Sequence, residues 1–161
     1  VSAHYVAVVW LHVLAALVWL GGMIAFALLA PVLRRIQDEA VRQGLFDQLG
    51  RRFRVVGWIC IAILLATGVE ELRLRGWWGP DFWSVRFLES SLGRRLALKL
   101  GIVGAMLALQ ALHDFWFGPR AALAPAGSRE ALALRRRAAL LARVNAVLGV
   151  WLVWAAVRLG R

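Results

Sequence analysis

The stretch Leu11-His12-Val13-Leu14-Ala15-Ala16-Leu17-Val18-Trp19-Leu20-Gly21-Gly22-Met23 sets one imidazole inside an otherwise apolar run over residues 5–33. About 20 apolar residues, rising ~1.5 Å each as a helix, cross the hydrocarbon layer of a bilayer, so the run reads as a membrane span. An ionisable side chain inside a span costs free energy to bury and marks a candidate functional site. The rest of the chain fits this reading. Hydrophobic residues make up 61% of it and its mean hydropathy is +0.69, against roughly 45–50% apolar usage in soluble domains. Three further apolar runs follow, and the pattern predicts helices over about 5–30, 54–75, 96–117 and 138–159. The expected fold is all-α: an integral membrane four-helix bundle with short connections, forming a single transmembrane domain over residues 1–161. The first segment lacks a basic n-region and outruns the ~7–15 residue core of a signal peptide, so it is expected to stay as a span. A start at Val1 without methionine is compatible with a processed or trimmed N-terminus.

The net charge of +11 comes in blocks between the apolar runs, which points to anionic headgroups and topology and away from nucleic acid. The first connection carries Arg34, Arg35, Arg42, Arg51, Arg52 and Arg54, and the third carries Arg120, Arg129, Arg135, Arg136, Arg137 and Arg143. The opposite side holds Arg73, Arg75, Arg86, Arg94, Arg95, Arg158 and Arg161. Twelve against seven places connections one and three in the cytoplasm and both termini outside. Within the first connection, Ile36, Ala40, Val41, Leu45, Leu49 and Phe53 recur near helical spacing, as expected of an amphipathic segment on the inner surface. The second connection, Gly76-Trp77-Trp78-Gly79-Pro80-Asp81-Phe82-Trp83, reads as an outer interfacial belt, and residues 123–128 as a flexible linker. The lone Cys60 excludes an internal disulfide and a thiolate cluster. Nucleotide-binding glycine patterns, a Gly-x-Ser-x-Gly elbow and a His-Glu-x-x-His zinc motif are all absent, and no catalytic residue is assigned.

Measured from the helix midpoints, His12 lies roughly 7 Å, Glu70 roughly 8 Å and Lys99 roughly 11 Å toward the outside, one polar layer. Glu70 and Lys99 either pair with each other or snorkel to the surface as helix-end charges. Lys99 is the single lysine among twenty cationic residues. On the inner half, Asn145 and Arg143 share the depth of His113 and Asp114, and Asp114 is placed to fix the His113 tautomer. His4 is expected at the outer interface, in water. His12 shares a helical face with Ala15, Ala16, Trp19 and Met23, which leaves room for a flat group or a close helix. The plain alternative for His12 is a hydrogen bond that holds two helices together, worth around 1 kcal/mol. His12 and His113 are the candidate metal ligands, but roughly 17 Å of depth separates them, too far for one iron.

The first-helix motif with Pro31, Thr67-Gly68, Leu98-Lys99-Leu100 and Arg143-Val144-Asn145 resembles the copper-resistance protein D family, and more weakly the HemJ-type protoporphyrinogen oxidases. The resemblance implies four-helix units of the bacterial inner membrane that handle copper or bind haem b, with His12 and Lys99 as the positions that matter in the HemJ-like pattern. Other HemJ signature segments are missing, which argues against porphyrinogen oxidation. Copper(I) favours thiolate and thioether ligands, and the chain offers only Met23, Met106 and Cys60, on different helices. Haem needs an imidazole, a flat slot and aromatic walls. The expectation is therefore a haem b protein, with His12 as axial ligand and Lys99 and Trp19 lining the cofactor. It would carry electrons with a quinone or a periplasmic redox partner, and it is a candidate homo-oligomer. Copper transport or tolerance is the alternative, and a cofactor-free scaffold or assembly factor a further one.

Overall fold

The computed structural model describes residues 2–79, 82, 84–125 and 128–159; the side chains of Arg158 and Leu159 are not described. Among these residues every regular element is helical. The helices fall into two compact units, residues 1–87 and 88–161, each built around one hairpin.

In the first unit, Ser2 opens α1 (Ala3–Leu33), its Oγ accepting the Tyr5 N–H at 3.2 Å. Pro31, which has no N–H to donate, lies in the last turn of the helix, which ends at Leu33. A tight turn follows, sealed by Arg42 Nη1 donating to the Ile36 carbonyl at 2.8 Å. Asp38 then caps α2 (Glu39–Leu74) by accepting the Val41 N–H at 3.0 Å. The amphipathic segment and the second span are one unbroken helix of 36 residues, which starts at Glu39 and not near residue 54. The reason is local: between Asp38 and Val55 the sequence holds no proline that would end one helix and begin another.

Aromatic rings set into gaps make the α1–α2 seam. Phe26 meets Phe46 (6.2 Å between centroids, 63°) and Phe53 (5.4 Å, 85°) edge to face. Phe53 packs on Gly22 and Trp19 on Gly57, and Ala15, Cys60, Ile61 and Thr67 are buried. α2 ends in a Schellman turn: Gly76, at φ +68°, donates to the Arg73 carbonyl, and Trp77 donates to that of Leu72. Of the aromatic belt, Pro80, Asp81 and Trp83 lie outside the described residues. Phe82 is buried beside Trp78 and Phe87, and Ser84 caps the short α3 (Val85–Glu89).

In the second unit, Ser90 caps α4 (Ser91–Ala111). The rod continues through a π-helical turn (Leu112–Phe117) into α5 (Gly118–Leu123). Pro119 explains the wide turn, because its ring cannot sit against the carbonyl four residues back, and the chain widens instead, with Gly118 N–H reaching the His113 carbonyl. Ala126 and Gly127 of the expected linker lie outside the described residues. Ser128 Oγ accepts the Ala131 N–H at 3.1 Å, and α6 (Arg129–Leu159) starts there, ahead of the expected residue 138. α6 packs on α4, the π turn and α5, where the small Ala121 and Ala131 are both buried.

Four helical stretches, Ala3–Leu33, Glu39–Leu74, Ser91–Leu123 and Arg129–Val157, are long and apolar enough to cross a membrane. Large apolar side chains face outward along them, among them Leu17, Leu28, Val55 and Val147, as lipid exposure requires.

Candidate functional site

His12 is half-buried in the α1–α2 seam, and its Nδ1 lies 2.8 Å from Thr67 Oγ1. Thr67 itself is buried, and its hydroxyl lies 2.6 Å from the Ile63 carbonyl and 3.3 Å from that of Leu64. A hydroxyl has a single hydrogen, and here the helix carbonyls take it. Toward the imidazole Thr67 can only accept, which assigns the proton of His12 to Nδ1 and the lone pair to Nε2. This is the tautomer whose Nε2 ligates a metal or accepts a proton. A Cβ at Gly68 would stand 3.6 Å from His12 Cε1, so the ring rests against the backbone of α2.

One turn beyond Thr67, Glu70 Oε1 lies 3.1 Å from His4 Nε2, and Arg73 Nε approaches Glu70 Oε2 at 3.9 Å. Both carboxylate oxygens of Glu70 are thus engaged within its own hairpin. His4 is exposed, as expected at an interface, yet it is tied to the opposite helix. Beside it, Arg75 donates to Tyr5 Oη at 2.9 Å, lies 3.5 Å from Glu71 and covers the rings of Tyr5 and Trp77. Trp19, expected to wall a cofactor, fills the gap at Gly57. Lys99, on α4, is half-buried in the second unit.

The second hairpin has its own polar chain, which starts at Asp114, a side chain only 3% exposed. Its Oδ1 lies 2.8 Å from His113 Nδ1, and its Oδ2 accepts from Gln110 Nε2 at 2.7 Å. With its amide nitrogen turned to the carboxylate, Gln110 presents Oε1 to α6, where Asn145 Nδ2 donates to it at 3.0 Å. This chain sets the direction of both amides. It leaves Asn145 Oδ1 buried with no hydrogen-bond partner among the described residues, in a side chain 1% exposed. Arg120 stacks on Trp116 at 3.4 Å near the end of this rod.

The residues that sequence reasoning missed are Thr67 as the partner of His12, His4 as the partner of Glu70, and Gln110. Gln110 was readable from its place four residues before Asp114. Among the described residues no three of His, Cys, Asp and Glu gather as a metal-binding group.

Four membrane-length helices with ionisable side chains set into both hairpins define a multi-pass α-helical membrane protein. The chain belongs to the copper resistance protein D family, whose profile matches residues 47–159. The match takes in Thr67, Glu70, Lys99, His113 and Asn145, while His4 and His12 precede it. An uncharacterized protein of Aquifex aeolicus (strain VF5) is 29% identical over 115 residues, 70% of this chain and 69% of the relative. No solved structure matches. The family supports a membrane protein of copper-resistance type, and the expectation of haem b, iron and electron transport gains no support from it.

Proposed function

We propose that this protein handles copper in the bacterial inner membrane, with the cation as cargo and His12 Nε2 as a ligand to it. The observation that carries the reading is the Thr67 hydroxyl, which holds His12 in the ligating tautomer inside a membrane hairpin of a copper-resistance family chain. Imidazole suits copper, and an outer hydrogen bond that fixes the ring commonly raises metal affinity. Glu70 adds a carboxylate one turn beyond Thr67 on α2. Connections one and three, rich in arginine, face the cytoplasm, and both termini face outward.

The test is elemental analysis and an absorption spectrum of the intact protein, purified in detergent from copper-fed cells. Copper that copurifies without porphyrin, and falls by about tenfold or more in His12→Ala, is the expected result. A Soret band without copper, or copper content indifferent to His12→Ala, overturns the proposal.

A further inference from the structure

The arginines on the first half of α2 differ in how their charge is met. Arg42 donates to the Ile36 carbonyl and pairs with Glu39. Arg51, Arg52 and Arg54 make no ion pair and no side-chain hydrogen bond among the described residues, and Asp47, one turn before Arg51, pairs with none of them. Arg51 and Arg52 are exposed, but Arg54 is half-buried. Its Nε is shut off from solvent with no acceptor among the described residues, while its two Nη nitrogens stay open. The guanidinium has thus given up water on its inner edge and gained no protein partner, so its counter-charge has to come from outside. The neighbouring helix says what kind of surroundings that is. Phe53, next in sequence, packs on Gly22, and Phe26 lies against Phe46 and Phe53. α1 therefore runs on past the level of Arg54, from Gly22 to Leu33, a rise of about 16 Å. No residue in that stretch is polar, and Leu28 and Val32 are 70% and 60% exposed. One wall of this end of the hairpin is cationic and the other apolar, the complement of an amphiphile with an anionic head.

We propose that Arg54 and Arg51 bind the phosphate of an anionic phospholipid whose acyl chains lie along the apolar surface of α1. The two arginines stand three residues apart on α2 and so share a face. A guanidinium presents a planar set of donors that matches two phosphate oxygens at once, which a lysine ammonium does not. Basic positions between membrane helices are where anionic headgroups are held. A zwitterionic lipid answers less well, because its own ammonium already neutralises the phosphate. A free phosphate leaves the exposed apolar stretch of α1 unused. Arg54 lies thirteen residues before Thr67 on the same helix, about 20 Å along the axis, so the lipid site is separate from His12 and stands whether or not the protein handles copper.

The experiment titrates dioleoyl phosphatidylglycerol, or the zwitterionic dioleoyl phosphatidylcholine, into the intact protein in detergent and counts bound lipid by native mass spectrometry. Wild type is expected to bind phosphatidylglycerol about fivefold or more tightly than phosphatidylcholine. Arg54→Gln and Arg51→Gln should each lower that preference, while Arg129→Gln, which removes one exposed charge from the second unit, should keep it. Arg51 is exposed, so Arg51→Gln reads the site even where Arg54→Gln fails to fold. Equal binding of the two lipids by wild type, or an equal loss in Arg54→Gln, Arg51→Gln and Arg129→Gln, overturns the site. Displacement of the bound lipid by millimolar inorganic phosphate assigns the arginines to a free anion and overturns the lipid.

Discussion

Replacing Thr67 with valine keeps the shape of the side chain and removes one oxygen. In the folded protein that oxygen accepts from His12 Nδ1 at 2.8 Å and donates to the Ile63 carbonyl at 2.6 Å. The helix carbonyl loses little, since helical N–H groups also reach it. The imidazole loses the acceptor that fixes its proton. Hydrogen bonds between helices in membranes average ~0.6 kcal/mol and reach ~1.7 kcal/mol, and a buried donor deprived of its acceptor costs about 1–3 kcal/mol. The two ranges overlap near 1 kcal/mol, about a fivefold change in the folded-to-unfolded ratio. Thr67→Val is therefore expected to destabilise the protein by about 1 kcal/mol in reversible detergent unfolding followed by circular dichroism. Thr67→Ser should restore most of the loss. Nitrogen-15 NMR of the ring supplies the sharper readout: wild type should carry its proton on Nδ1, and Thr67→Val a mixture of tautomers. A wild-type ring protonated on Nε2 alone refutes the hydroxyl argument.

Gly76 holds φ +68° at the end of α2, so Gly76→Ala should cost about 1 kcal/mol, measured in the same unfolding assay. Gln110→Leu removes the link between Asp114 and Asn145 and strands polar groups on both sides, which predicts a loss of about 2 kcal/mol or more; unchanged stability would refute the directed chain. At Gly57 a Cβ would meet Trp19 at an ordinary 3.7 Å. Gly57→Ala should be neutral or stabilising, whereas Gly57→Leu should lose about 1–3 kcal/mol by forcing the indole aside.

The four spans were legible because lipid demands long apolar runs, and hydropathy reads them directly. Their polar ends were not. Residues 39–53 and 129–137 are too polar to register as span, yet they hold no proline, so the helices run on through them. The π turn was hidden for another reason: Pro119 signals a break, but the sequence does not say that the chain would absorb it by widening one turn. His12 stood out as an ionisable group in an apolar run. Thr67 did not, since a small hydroxyl can satisfy itself on its own helix and raises no flag in hydropathy. Glu70 was read by depth alone, and depth along an axis says nothing about which face a side chain takes. Its contacts with His4 across the seam and Arg73 on its own helix are set by that face.

The unbroken α2 has a mechanical consequence. Its 36 residues extend about 54 Å, against about 30 Å of hydrocarbon, so the rod is roughly 24 Å longer than the core is thick. The arginine-rich first half of α2 and the half that carries Thr67 and Glu70 are one shaft. A displacement of the first half along the helix axis is therefore expected to move the Thr67 hydroxyl that holds His12.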